Sequence, residues 1–490
     1  MTLSKQDTPS MRSFLMMWGG QALSLFGNNL VQFVLVWYLT LRTQSATVLA
    51  ISTMMGLLPQ VFLGPFAGAL IDRWNRRLVM IAANASTALA TLVLVALFAA
   101  NVVQVWEIYL LLLWRAFGQA FLMPATLAAT STMVPEERLS QVSGLNQFLE
   151  GAMMIVPPLA GALLLSLAPM QAILAVDILA GLIAIGLLLA IRIPQPVRMT
   201  LLTRKVSVLE DMWSGFRYIW GWPGLFILIL LCSALNFFFS PAFALLPLNV
   251  TGFFKGNAPE LALVDSALAG GLVVGGLIMG AWGGFKKRIV STIVFMAAGG
   301  LFLGAFGFVP ANAFYLGVGV LGVFGAMLAM DNGPLMAIPQ AAVEPKMQGR
   351  VLAVMNALAM AMSPIGLAVA GPLADRIGAR TWFVIAGAAT VALALVMLAV
   401  PAVMHIEDRV TSAAPAAILG ANAATLPYVP AAAPATVSQA VDTLTSSGVH
   451  ADALPTNVFN ARMGTYHFTR EEVRALRVAA AERKKQADAS

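Results

Sequence analysis

The chain has 490 residues, of which 59% are hydrophobic and only 10% charged. A soluble domain carries roughly a quarter charged residues, so this composition excludes an ordinary water-soluble enzyme. The formal net charge of +7 sits in short loops between apolar runs, which argues against a nucleic-acid surface, and the lone Cys232 excludes an intrachain disulfide.

Apolar runs long enough to cross a hydrocarbon layer about 30 Å thick recur along the chain. They predict twelve membrane helices at 13–40, 46–71, 78–100, 105–130, 139–168, 170–191, 223–250, 260–284, 289–309, 312–337, 348–374 and 381–404. The first run is too long for a signal-peptide core and is kept as a span. Loops after even-numbered spans, with the N-terminus and Arg350 at the start of the eleventh span, hold sixteen Lys and Arg; the opposite loops hold Arg42, Lys255, Arg376 and Arg380. The positive-inside rule then places both termini in the cytoplasm of a multi-pass protein of the cell (inner) membrane.

The halves are related. Pro124, Pro135, Asn146 and Gly161 recur as Pro334, Pro345, Asn356 and Gly371, and Gly68 and Arg76 recur as Gly280 and Arg288. This predicts an all-α fold of two pseudo-symmetric six-helix bundles. The N-terminal bundle spans 1–191, a cytoplasmic linker 192–222, the C-terminal bundle 223–404 and a cytoplasmic tail 405–490. In the linker, Ser207-Val-Leu-Glu210 reads as a capping box opening an amphipathic helix with Trp213, Phe216 and Trp220 on its apolar face. In the tail, 411–458 is rich in Ala, Thr and Pro and reads as a disordered linker. Thr469-Arg-Glu-Glu472 then opens a short basic helix through Lys485.

Between the second and third spans lies Gly68-Ala-Leu-Ile-Asp72-Arg73-Trp-Asn-Arg76-Arg77. The glycine permits close helix approach, the aspartate stands where the helix leaves lipid, and Arg73, Arg76 and Arg77 hold that end in the cytoplasm.

Charge inside the bilayer is costly, about 2.5–3.5 kcal/mol on insertion scales. All three histidines lie beyond the last span, so an intramembrane proton carrier must be a carboxylate. Glu150, about a dozen residues into the fifth span, and Arg115 at similar depth in the fourth are expected to pair, with Asp177 a second carrier candidate. The alternative is a permanent structural ion pair, or two groups satisfied separately. Asp331 is expected to cap or hinge the tenth span near its cytoplasmic end, and Asp265 to sit at the outer interface. Pro157, Pro158 and Gly161 form a kink that serves packing or a rocking hinge. The expected cavity lining is polar and uncharged: Gln21, Asn28, Asn29, Gln32, Gln119, Asn146, Asn236 and Asn356, with Trp37 as aromatic surface. Such a lining suits large amphipathic molecules better than sugars or small anions.

Twelve spans in two related halves, with Gly68-x-x-x-Asp72-Arg73-x-x-Arg76-Arg77 after the second, resemble the major facilitator superfamily. Gly20-Gln21-x-x-Ser24-x-x-Gly27, Val36-Trp37-Tyr38-Leu39-Thr40 and Val134-Pro135-Glu136-Glu137 are similar to its macrolide-efflux-like drug:proton antiporters. The resemblance implies a secondary transporter that exports amphipathic drugs, macrolide-like or multidrug, by proton antiport through alternating access. It implies a role for Arg115 in proton coupling, and a conformational latch in which Asp72 faces the start of the eleventh span near Gly349 and Arg350. Asn75 departs from the family's usual glycine, and the copy at Gly280–Arg288 has lost its aspartate. Asp375, in a similar pattern on the outer side, is an external gate contact or a loop anchor. No nucleotide-binding Gly-Lys motif, metal cluster or nucleophile–base pair is evident, so neither an enzyme nor a cofactor is expected. The expected partners are a small amphipathic substrate, protons and the lipid bilayer, for a monomeric protein that binds no nucleic acid. Export of a native metabolite such as a siderophore, lysophospholipid transport, and a non-transporting sensor acting through the tail are the other readings.

Overall fold

The structure, a computed structural model, describes residues 11–71, 74–194, 208–407, 460–463 and 466–469. Twelve of its helices are long and apolar enough to cross a membrane. In the first half these are α1 (Met11–Thr43), α2 (Ala46–Ile71), α3 (Arg76–Ala99), α4 (Val105–Met133), α5 (Leu139–Leu167) and α6 (Met170–Ala190). The linker helix α7 (Val208–Trp220) follows. The second half holds α8 (Pro223–Ala244), α10 (Ala258–Trp282), α11 (Arg288–Phe306), α12 (Phe314–Ala342), α13 (Pro345–Ile377) and α14 (Ala379–Ala399). Two short helices, α9 (Leu246–Leu248) and α15 (Pro401–Met404), complete the set.

The seventh apolar run departs furthest from its expected extent. It breaks after Ala244, restarts as α9 and ends in a π turn at Asn249–Phe253. Pro247 has no N–H to give to the Phe243 carbonyl, so the helix cannot run through.

Helices pack into two six-helix bundles that meet along two seams, α2 against α13 and α5 against α10. The ends of the bundles that lie with α7 are called the linker side, and the opposite ends the far side. Exposed Leu163, Leu182, Leu277 and Leu395 belong to the surface that faces lipid.

The internal repeat extends to hydrogen bonds. Arg76 Nη1 donates to the Ala128 carbonyl at 2.7 Å, and Arg288 Nη1 to the Ala337 carbonyl at 3.3 Å. On the far side, Gln171 Nε2 donates to the Phe98 carbonyl at 3.0 Å and Arg380 Nε to the Gly307 carbonyl. The far-side carbonyls of Phe98 and Gly307 stand at helix ends, where intrahelical donors run out, and arginines near a helix C-terminus also meet the negative end of the helix dipole.

In α7, Gly215 and Ile219 are buried while Trp213 and Trp220 are exposed, as expected of an interfacial amphipathic helix. Gly215 faces the Arg350 carbonyl so closely that a Cβ would lie 2.9 Å from it, which seats α7 on the start of α13. Ser207 of the expected capping box lies outside the described residues.

Residues 410–490 form a separate unit. In it, β1 (Asn460–Met463) and β2 (Tyr466–Thr469) pair antiparallel, with Met463 opposite Tyr466. Thr469, expected to cap a helix, is the last residue of β2. Residues 411–458 and the segment through Lys485 lie outside the described residues.

Candidate substrate cavity and coupling cluster

Arg115 on α4 is 3% exposed and is held by three neighbouring helices. Its Nη1 lies 2.6 Å from Asp177 Oδ2 on α6 and also donates to Thr91 Oγ1 on α3. Its Nη2 donates to Asn28 Oδ1 on α1 at 2.9 Å, and the Thr91 hydroxyl donates to Asp177 Oδ2 at 2.6 Å. Two glycines make this convergence possible. A Cβ on Gly27 would lie 2.9 Å from Asp177 Cα, and one on Gly118 would lie 2.9 Å from Thr87 Oγ1. Small residues let membrane helices approach, and the buried charges then find partners that lipid cannot offer.

This geometry corrects the expected pairing. The carboxylate that meets Arg115 is Asp177, and Glu150 is exposed on α5. By helical phase Glu150 shares a face with Met153 and Met154, one turn nearer the linker side.

A cavity of about 600 Å³ lies between the halves. Asn29 and Gln32 line it from α1, Thr53 from α2, Met153, Met154 and Pro158 from α5, Phe243 from α8, and Asp265 and Leu268 from α10. Asp265 thus faces the cavity, contrary to its expected place at the outer interface. Asn29 Nδ2 reaches the Met153 carbonyl at 3.4 Å. That carbonyl would normally receive the N–H of residue 157, which is a proline. The Asn29 amide takes the missing donor's place, so the double proline of α5 is strapped to α1. Gly161, a turn further on, receives the Phe33 ring of α1 in the space a Cβ would occupy.

The other residues expected in the cavity are distributed differently. Asn28 serves Arg115. Gln21 accepts from Asn84 Nδ2 at 3.4 Å, beside a 2.6 Å bond from Ser24 to Asn84. Trp37 is buried in the apolar core with Phe33 and Trp382. Asn146 accepts from Trp18 Nε1 at 2.8 Å, Asn236 donates to the Cys232 carbonyl at 3.1 Å, and Gln119 is half-buried on α4. Asn356 lines a second space of about 450 Å³ on the linker side, between Gln60 and Gly64 of α2 and Gly349 of α13. Asp331 is buried in α12 and its Oδ1 has no hydrogen-bond partner, so it is an interior carboxyl and not a cap.

At the far side the seam between α2 and α13 is closed by polar contacts. Asp375 accepts from the Ala46 N–H at 2.5 Å, the Thr47 N–H at 3.1 Å and the Ser45 hydroxyl at 3.0 Å. Ser45 Oγ also stands 3.4 Å from the Val48 N–H. Of the two readings of Asp375, external gate contact and loop anchor, these bonds between the halves support the first. On the linker side the same seam is parted, with open space beside both Gly68 and Gly349. Asp72 and Arg73 of the expected latch lie outside the described residues. Arg76 and Arg77 tie helices within the first bundle: Arg77 Nε and Nη2 donate to the Leu188 and Leu189 carbonyls at 2.7 and 2.6 Å, capping α6.

The Major Facilitator Superfamily profile matches residues 17–367. The chain belongs to this superfamily. As a major facilitator it is a multi-pass membrane transporter and not an enzyme. It is 32% identical over 385 residues to macrolide efflux protein A of Streptococcus pyogenes, covering 78% of this chain and 94% of that protein. It is 26% identical over 400 residues to the multidrug efflux pump Tap of Mycolicibacterium fortuitum, again covering 78% and 94%. A crystal structure of a mutant form of the nucleoside transporter NupG shares the fold, with a TM-score of 0.58 and 15% identity over 79% of this chain and 99% of that one.

Three contributors escaped sequence reasoning. Thr91 and Asn84 stand with Thr87 on one stripe of α3, at i, i+3 and i+7 in a helix whose other polar side chains are Ser86 and the two arginines of its first turn, and that stripe was the available signal. Asp265 gave no such signal, because an apolar helix does not show which way a single polar residue faces.

Proposed function

We propose that this major facilitator exports amphipathic drugs, macrolide-like or multidrug, by proton antiport through alternating access. The observation that carries the reading is the cavity between the halves, walled by side-chain amides, methionines and phenylalanines and bordered by a far-side seam that is shut. The likeness to a macrolide efflux protein and to the multidrug pump Tap supports the same cargo class. The cationic loops support a cytoplasmic linker side, so that both termini are cytoplasmic and the parted seam faces the compartment from which drug is taken.

In this reading Asp177 carries the proton. Arg115 cannot lose its charge, so protonating Asp177 leaves a buried cation with only the Thr91 and Asn28 oxygens. Losing one member of a buried ion pair costs about 3–5 kcal/mol, and a conformation that relieves the whole of that cost would be favoured by about a hundredfold or more. The cluster and the cavity share α1, where Asn28 holds Arg115 and the next residue, Asn29, lines the cavity and straps Met153. A shift of α1 therefore transmits cluster protonation to the cavity wall and to the Pro157–Pro158 hinge. The Gly68–Arg77 loop latches the linker side when it closes.

The test is drug accumulation in cells stripped of their own pumps, across a chemically varied panel, with and without a protonophore. Expression should lower accumulation of amphipathic drugs, and the protonophore should abolish the difference. Accumulation that is the same with and without the protein overturns the proposal.

A further inference from the structure

Trp213, Arg217 and Trp220 form a stripe on the outer face of α7, at i, i+4 and i+7. All three are exposed, the indoles at 67% and 64%. The Arg217 guanidinium makes no hydrogen bond or ion pair with any described residue. Neighbouring rings fix the depth of the stripe. Trp213 stacks on Phe216 at 5.8 Å, Phe216 meets Trp220 at 5.9 Å, and Trp220 packs edge-on against Phe226 at 5.0 Å. Phe226 belongs to the first turn of span α8, so the stripe lies where that span leaves the hydrocarbon. Indoles favour this level of a bilayer, and a guanidinium between them meets lipid phosphates, to which it can give two parallel hydrogen bonds. The linker 192–222 adds charge of the same sign, with five Lys and Arg against two Asp and Glu.

The inner face of the same helix reaches the seam between the halves. Gly215 seats α7 on the Arg350 carbonyl, so the helix and the first turns of α13 move together. One turn earlier, Met212 lines the space of about 450 Å³ that parts α2 from the start of α13. Closing the linker side consumes that space, which means displacing Met212 and the helix that carries it. Whatever holds α7 flat therefore holds the linker side apart. The holder is lipid, because only Gly221 and Trp222 separate α7 from α8, too short a turn to lift the helix off the membrane.

We infer that the Trp213–Arg217–Trp220 stripe docks on anionic phospholipids of the linker-side leaflet, and that this contact, through Met212, favours the form in which α2 and α13 are parted. It rests on the alternating-access reading above and adds a lipid that biases the cycle. A zwitterionic leaflet offers the same apolar level without net negative charge, so it holds the helix less tightly.

The test is made on full-length protein in lipid nanodiscs, with spin labels at Glu137→Cys and Glu344→Cys in a Cys232→Ala background. These exposed positions lie on the linker side in opposite halves. Phosphatidylcholine discs are compared with discs that also contain phosphatidylglycerol. The anionic lipid should raise the ratio of parted to closed forms by about two- to fivefold, within the worth of one cation at such a surface. Arg217→Gln should flatten the response, and Arg217→Lys should keep most of it. Met212→Ala should flatten it too, because the lipid contact remains while the prop is gone. A full response in Arg217→Gln or Met212→Ala overturns the inference, as does a wild-type ratio that falls or stays constant while both forms are populated. The same rise caused by glycerol phosphate in phosphatidylcholine discs would make the ligand a soluble anion and overturn it as well. One linker-side form in every disc would contradict alternating access, and this inference with it.

Discussion

The Asp375 carboxylate accepts the Ala46 backbone N–H at 2.5 Å, joining the last turn of α13 to the first residue of α2. The bond spans the two halves and places a negative charge at a helix N-terminus, where it is favoured by about 0.3–1 kcal/mol beyond the hydrogen bonds themselves. Asp375→Asn should weaken far-side closure and raise the fraction open at that side by about tenfold, since hydrogen bonds to charged groups contribute about 1.5–3 kcal/mol each. Spin labels at Arg42→Cys and Arg376→Cys in a Cys232→Ala background would report the separation. An unchanged distance distribution would count against the gate.

Asp177→Asn leaves Arg115 buried beside neutral oxygens. The variant should lose thermal stability, about 3–5 kcal/mol, and should no longer release or take up protons when drug is added to proteoliposomes. Glu150→Gln should keep drug-driven proton movement, because Glu150 does not touch the cluster. A pH-sensitive dye inside the vesicles separates the two variants, and proton movement lost only in Glu150→Gln would reverse the assignment.

Arg77 stabilises the end of α6 through two carbonyls. Arg77→Ala should lower the unfolding temperature of the detergent-solubilised protein, at a cost of about 1–3 kcal/mol, while drug affinity stays at its wild-type value. A matching loss of affinity would give the arginine a part in transport that its contacts do not indicate.

Asn29→Leu removes the donor that replaces the missing N–H of Pro157. The α5 kink should become looser, so the rate of transport changes more than the affinity for drug. Stopped-flow efflux and equilibrium binding together check this split, and a variant that shifts affinity alone would mean Asn29 acts chiefly as a cavity wall.

Bilayer thickness explains why the spans were legible: an apolar run must reach a fixed length, and the run itself is written in the chain. The repeat was legible for a related reason, since Arg76 and Arg288 recur and make the same bond to the neighbouring helix end. Depth within a span could also be counted, and it correctly placed Arg115 in the interior. Azimuth could not. Glu150 and Asp177 are both carboxylates within spans, and only packing decides that α6, brought close by Gly27, delivers the partner of Arg115. Asp265 was misplaced on the same ground, and Trp37 went to the core because its large apolar face packs better there than against water.

Ser45 gives the far-side gate an unusual property. Its hydroxyl already stands 3.4 Å from the Val48 N–H while it donates to Asp375. When the halves separate, the Val48 N–H keeps its acceptor on the helix itself, and only the Ala46 and Thr47 N–H groups pass from Asp375 to water. The free energy of opening is then the difference between a carboxylate and water for those two donors, with the rest of the first turn left capped. A gate built this way can hold firmly at rest and still turn over at the pace of a transport cycle.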